Sequence, residues 1–210
     1  MSHPEQPDPR VGRRDPIAER PAERAIQVHD TGSMRALAHP LRLRILGLLR
    51  VEGPQSVGAL ARSTGAASGS VSYHLSTLAK HGFVVPAPEL ERDGRERWWR
   101  AAHEMTSWRT EEFLDDPERR EASDAVRRAV LDAYHRELLE AVDAELSLDP
   151  EWVAASDSSD GAAQLTLDEF RELTAELAAV REKWWSVGRE PREGTRSVRW
   201  ITHTFPRSES

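Results

Sequence analysis

Short helical segments separated by helix-breaking residues constrain the fold of this chain more than any other feature. Between residues 34 and 82, apolar side chains recur at helical spacing in four short segments. Proline and glycine end helices, and they stand at each boundary, as Pro40, Gly53-Pro54, Gly65 and Gly82. The pattern predicts four helices, at about 34–38, 41–51, 56–64 and 67–80, joined by tight turns.

Two stretches that favour β-structure follow the fourth helix. Residues 83–85 predict a short strand, and residues 95–101 predict its returning partner across a polar loop that contains Asp93-Gly94. Helices followed by a two-stranded hairpin are the element order of a winged helix. The predicted fold class is therefore mainly α with a small β-hairpin wing, a winged helix-turn-helix domain over residues 31–103.

The remainder of the chain predicts a disordered lead and a helical C-terminal region. Residues 1–30 are rich in proline and charge, which indicates disorder. After Asp115-Asp116-Pro117, a long helix is expected over 117–146, with apolar residues four apart. Residues 164–206 predict a C-terminal extension, in which a capping box of Thr166 and Glu169 opens a helix. A closing strand is expected over 197–205.

The charge of the chain is divided between its two halves. The net charge is −7, yet residues 31–110 carry eleven basic and six acidic side chains, against 13 and 24 in residues 111–210. A basic domain followed by an acidic region is compatible with a nucleic-acid partner for the first of them.

Several classes of function lack support in the sequence. The chain has no cysteine, which removes disulfides and thiolate metal sites. It has no phosphate-binding glycine loop and no nucleophile elbow, so we expect no enzymatic activity and no cofactor. With no run of about 18 apolar residues and no secretory leader, the expected location is the cytoplasm, without a membrane partner.

The helix over 67–80 carries the candidate DNA-binding residues. Its apolar face holds Val71, Leu75 and Leu78. In a helix-turn-helix the second helix enters the major groove, where hydroxyl and cationic side chains contact bases and phosphates. The candidates on its outer face are Ser68, Ser70, Ser72, Tyr73, Thr77 and Lys80. An ordinary solvated face with serine caps is the alternative interpretation.

Three arginines around the predicted hairpin tip are the second set of candidates. Arginine at such a tip pairs with phosphates or enters the minor groove. The residues are Arg92, Arg95 and Arg97. The alternative is a charged edge strand that prevents aggregation, and Glu91, Asp93 and Glu96 weaken the local positive field.

Two motifs resemble the arsenic-repressor-like (ArsR) family. Residues 36–46 read ALAHPLRLRIL, residues 70–78 read SVSYHLSTL, and HGFV follows at 81–84. The resemblance covers residues 33–103 and implies a dimeric winged-helix protein that binds promoter DNA, usually as a repressor. By carry-over, Ser70, Ser72 and Tyr73 would face DNA and His74 would be partly buried. The cysteine pair of metal-sensing members is missing.

The long helix carries the candidate dimer interface. The residues expected to contact a second subunit are Val126, Val130, Tyr134, Leu138 and Val142; packing of the C-terminal helix on this row is the alternative. On the same helix Asp132 and His135 are one turn apart, but no second histidine follows, so we predict no metal site.

Two questions stay open. Four tryptophans beyond residue 150 indicate core or interface packing, with a small-molecule effector of unknown identity as the alternative. The leading hypothesis for function is a dimeric regulator that binds double-stranded DNA. Salt-dependent binding to a generic duplex would distinguish it from the alternative. The other is a winged-helix protein-interaction module that does not bind DNA, because a fold does not dictate a function.

Overall fold

Helices make up most of the chain that the structure, a computed structural model, describes. The described residues are 24–91, 96–188 and 192–207. The α-helices are α1 (Thr31–Leu37), α2 (Pro40–Val51), α3 (Val57–Thr64), α4 (Ser68–Lys80), α5 (Pro117–Ala144), α6 (Pro150–Ala154) and α7 (Leu167–Val187). Among these residues, no helix is both long and apolar enough to cross a membrane.

Five short strands form two small sheets. They are β1 (Ala25–Gln27), β2 (Gln55–Ser56), β3 (Val84–Pro86), β4 (Trp98–Ala101) and β5 (Met105–Ser107). Strand β4 lies between β2 and β3 and is antiparallel to both, with Val84 opposite Ala101 and Gln55 opposite Trp99. The predicted two-stranded hairpin is thus a three-stranded sheet, because the residues just before α3 add a strand.

The first compact unit, Ala22–Ser158, is built around one apolar core. Helices α1, α2 and α4 contribute the fully buried Met34, Ile45 and Leu75. Phe113 and Val126, which lie beyond the predicted winged-helix segment, are also fully buried in this core. The first half of α5 packs on α1 and α2. Residues 117–130 therefore belong to the same unit as the helix-turn-helix and do not form a separate domain.

The predicted disordered lead over 1–30 is wrong for its last residues. Residues 25–27 form β1, which pairs in parallel with β5, and Val28 is buried. Asp30 caps α1 by accepting a hydrogen bond from the Ser33 N–H at 2.8 Å. Hydrogen bonds from the side chain and the backbone N–H of Ser33 hold the pKa of Asp30 below its usual value. The other predicted lead residues, 1–23, lie outside the described residues.

The second unit includes the described residues from 159 onward. The capping box that opens α7 is present, with the Glu169 N–H donating to the Thr166 hydroxyl and the Thr166 N–H donating to the Glu169 carboxylate. The hydrogen bonds that the N–H and the hydroxyl of Thr166 donate to the carboxylate lower the pKa of Glu169.

The closing strand predicted over 197–205 is wrong. Within the described residues 192–207 no strand forms, and Val198, Trp200 and Phe205 are exposed. A period-two pattern predicts a strand only where a neighbouring strand supplies hydrogen bonds, and no described strand pairs with this segment. The predicted C-terminal extension over 164–206 therefore contains a helix without the strand.

Candidate nucleic-acid interface

The turn between α3 and α4 fixes the angle at which α4 leaves the core. The Ser56 hydroxyl caps α3 by accepting from the Ala59 N–H at 3.2 Å. At the other end, Gly65 adopts a left-handed conformation with φ of 71°, which a residue with a β-carbon rarely tolerates. Helix α4 then begins after Ala67, whose side chain cannot cap it. The α4 serines are therefore not its N-cap, contrary to the alternative interpretation.

Helix α4 has one buried and one exposed face. Val71, Leu75 and Leu78 are fully buried, as their spacing of four and three residues predicts. This packing turns the opposite face of the helix toward solvent. Exposed there are Ser68, Ser70, Ser72, Tyr73 and Lys80, while Thr77 is half-buried.

Intrahelical hydrogen bonds set what two of the hydroxyls can offer to a ligand. The Thr77 hydroxyl donates to the Tyr73 carbonyl at 3.1 Å, and the Ser76 hydroxyl donates to the Ser72 carbonyl at 2.9 Å. Because both hydroxyl hydrogens are already donated within the helix, these two side chains can only accept hydrogen bonds from a ligand. Thr77 is therefore suited to accept from a base amino group and not to contact a phosphate as a donor.

Tyr73 is the aromatic side chain of this face, and it is 66 % exposed. Its ring meets the buried His74 ring nearly edge to face, with 5.3 Å between the centroids. A large apolar ring held in solvent by a buried neighbour is available for contact with a partner surface.

The predicted wing is described only in part. Arg92 and Arg95 lie outside the described residues, whereas Arg97 is described and exposed. The acidic neighbour Glu96 accepts a hydrogen bond from the Ser56 hydroxyl at 2.6 Å, which holds its carboxylate at the start of α3. On the same sheet, Arg100 pairs with Glu89. The sequence alone gave no signal for either contact.

The apolar row of α5 does not form one face. A step of four residues turns about 40° around a helix with 3.6 residues per turn, so the row rotates from the core into solvent. Val126 is fully buried in its own chain, and Val130 packs on the same core. The prediction that Val126 contacts a second subunit is therefore wrong. Tyr134 is half-buried, and Leu138 and Val142 are exposed.

Sequence reasoning missed two leucines on the exposed side of α5. Leu131 and Leu139 are each 52 % exposed and lie close to Leu138 and Val142 around the helix. Counting positions at about 100° per residue would have found them. The side of α5 that they share is roughly opposite to the side that carries Val126.

No metal centre is visible in the part of the chain that the structure describes. Within it, no group of three or more histidine and carboxylate side chains is placed to hold a metal ion. The absence of a metal site at Asp132 and His135 stays a prediction.

A family model described as a helix-turn-helix domain matches residues 37–86. The match begins at the end of α1 and ends with β3. The chain contains a helix-turn-helix domain. Such a domain indicates a DNA-binding regulator. No curated protein matches the chain.

Proposed function

We propose that this chain is a dimeric, sequence-specific transcription regulator of the arsenic-repressor-like type. Helix α4 reads the major groove, and the sheet β2–β4–β3 carries a wing that contacts the flanking backbone. The repressor role follows from the resemblance of residues 36–46 and 70–78 to that family. The proposal includes no catalytic activity and no cofactor, and it places the protein in the cytoplasm.

The exposed face of α4 is the observation that carries the proposal. Four serines and Tyr73 are exposed to solvent on a helix whose opposite face is fully buried. Hydroxyls suit both base edges and phosphates, and an aromatic ring can contact a thymine methyl group. Helix α4 contains no acidic residue, so no carboxylate of this helix repels the phosphates of DNA.

Arg97 adds a positive charge of the wing to the proposed DNA-binding surface. It is exposed and is the described member of the three predicted wing arginines. Because the Glu96 carboxylate is bound by the Ser56 hydroxyl, it lies at α3. Arg97 would then supply one phosphate contact. We propose that Arg92 and Arg95 supply further phosphate contacts.

A second copy of the chain would supply the second α4. One such helix reads only a few base pairs, and a two-fold dimer presents two of them to half-sites about one helical turn apart. We assign the contact to the exposed side of α5. It consists of Leu131, Tyr134, Leu138, Leu139 and Val142.

Binding to duplex DNA at graded salt tests the proposal. The protein is titrated with a random duplex and with sequences selected from a random pool, between 50 and 200 mM salt as working conditions. A regulator selects a sequence, binds it more tightly than the random duplex, and loses affinity steeply as salt rises.

The variant Ser70→Ala, combined with Tyr73→Ala, sharpens this test. We expect it to lose the preference for the selected sequence while it keeps binding to random duplex, because phosphate contacts are separate from base contacts. Arg171→Ala, on the exposed surface of α7, removes an arginine that pairs with Asp168 one turn away; it is the control and should bind as the wild type does. Absence of duplex binding by the wild type at 50 mM salt would favour the protein-interaction module instead.

A further inference from the structure

Two histidine rings lie in contact beneath the exposed face of α4, with their planes tilted by 41°. His74 is buried on the inner side of that helix, and its ring lies 4.4 Å from the His39 ring, centroid to centroid. His39 stands at the start of α2, where its Nδ1 accepts a hydrogen bond from the Leu41 N–H at 3.1 Å. The pair therefore joins α2 to α4, directly under Tyr73.

The charges around this pair are positive. Arg42, one turn into α2, donates to the backbone carbonyls of Ala36 and Arg35 at the end of α1. The charged side chain of α1, Arg35, is bound by Glu118 of α5 at 2.9 Å. On α4 itself, Tyr73 is the titratable neighbour. Among the described residues no carboxylate pairs with either histidine ring, and Arg42 is the charged neighbour of both, so a proton added there meets like charge.

The hydrogen bonds of the pair also fit neutral rings. His39 Nδ1 can accept from the Leu41 N–H only while it carries no proton. His74 Nδ1 is buried and has no hydrogen-bond partner among the described residues. A proton on His74 Nδ1 would be buried without an acceptor, and a proton on His39 Nδ1 would point at the Leu41 N–H; both are unfavourable.

We propose that the His39–His74 pair is a proton-sensitive positioning element that holds Tyr73 for DNA binding only while both rings are neutral. Protonation of one ring breaks the α2 cap or places a cation beside Arg42, and the rings separate. Tyr73 then leaves the edge of His74, and DNA affinity falls. This inference rests on the proposed function of α4.

The direction of the pKa shifts agrees with this geometry. Burial lowers the pKa of both histidines from 6.5, Arg42 lowers both further, and His39 also lowers that of His74. The neutral rings thus stabilise the fold fully above about pH 6.5, the ordinary value for histidine. That contribution is lost as the pH falls from there toward the lowered values in the folded protein.

The expected pH dependence is opposite to the general behaviour of DNA-binding proteins. Added protons usually strengthen binding to phosphates, because they add positive charge. Here DNA binding requires the release of a proton from the histidine pair. The affinity for DNA should therefore be constant above pH 6.5, and it should fall by up to about tenfold per pH unit below the pKa of the pair in the DNA-free protein.

The test measures affinity for the selected duplex from pH 8 to pH 5, at constant ionic strength, with three variants. His39→Asn keeps a side-chain oxygen that can cap α2 and removes one titrating ring. His74→Gln removes the other ring. His203→Gln changes an exposed histidine of the second unit, outside α4 and the proposed dimer contact, and is the matched control. NMR of the histidine ring protons and the Tyr73 ring follows the same titration in the free protein.

The inference predicts that the wild type and His203→Gln lose affinity together in acid and that His39→Asn and His74→Gln lose less. The Tyr73 signal should move with the protonation of His74. A wild-type affinity that stays level or rises down to pH 5 overturns the inference, as does an unchanged acid loss in His39→Asn. If no duplex is bound at pH 8, the proposed function fails, and the Tyr73 and His74 signals still decide the inference.

Discussion

Leu138→Ala should weaken a dimer of this chain without affecting the fold of its subunits. Leu138 is 55 % exposed and lies on the side of α5 that faces away from the core. Removing three carbons at about 0.8 kcal/mol per buried CH₂, scaled by that exposed fraction, costs about 1.3 kcal/mol per subunit. A two-fold contact contains the residue twice, so the dimer loses about 2.6 kcal/mol, or about 80-fold in dissociation constant.

Sedimentation of a dilution series measures this change. Leu114→Ala is the matched control, because it is the same substitution at a leucine that is 45 % exposed and precedes α5. The control should dimerise as the wild type does, and both variants should melt close to the wild-type temperature. A wild type that stays at 23.7 kDa at every concentration, or a Leu138→Ala variant with the wild-type constant, refutes the assignment of this surface.

Three further predictions concern the other surfaces. Tyr73→Ala should weaken binding to the selected duplex by about 1–3 kcal/mol with an unchanged circular dichroism spectrum, whereas Tyr73→Phe should retain most of the affinity; equal loss in both would assign the effect to the hydroxyl. Arg97→Ala should reduce the slope of log affinity against log salt by about one, and Arg171→Ala should leave it unchanged; equal slopes would place Arg97 away from DNA. Val126→Ala should lower the free energy of unfolding by about 2 kcal/mol and Val142→Ala by well under 1 kcal/mol, measured in urea at a protein concentration where the chain is monomeric, and equal losses would contradict the rotation of the apolar row.

Local signals were sufficient to predict the helix-turn-helix. Ser56, Gly65 and Gly82 act on their own neighbours in the chain, so the bounds of α3 and α4 agree with the prediction to within one or two residues. The exposed face of α4 follows from the spacing of its buried residues for the same reason.

The features that the sequence did not reveal depend on distant partners. Strand β1 exists because residues 25–27 pair with residues 105–107, about eighty positions later in the chain. The burial of Val126 depends on α1 and α2. The contact between the His39 and His74 rings depends on how α2 packs against α4. A periodicity within one segment carries no information about such partners.

The burial of Phe113 and Val126 sets the order of events during synthesis. The segment matched as a helix-turn-helix ends at residue 86, but its core is completed only by Phe113 and the first half of α5. A nascent chain that has left the ribosome only as far as residue 103 would therefore leave part of α1 and α2 uncovered. Because α4 packs on α1 and α2, the proposed DNA-binding helix would be fully supported only after the first half of α5 has also left the ribosome.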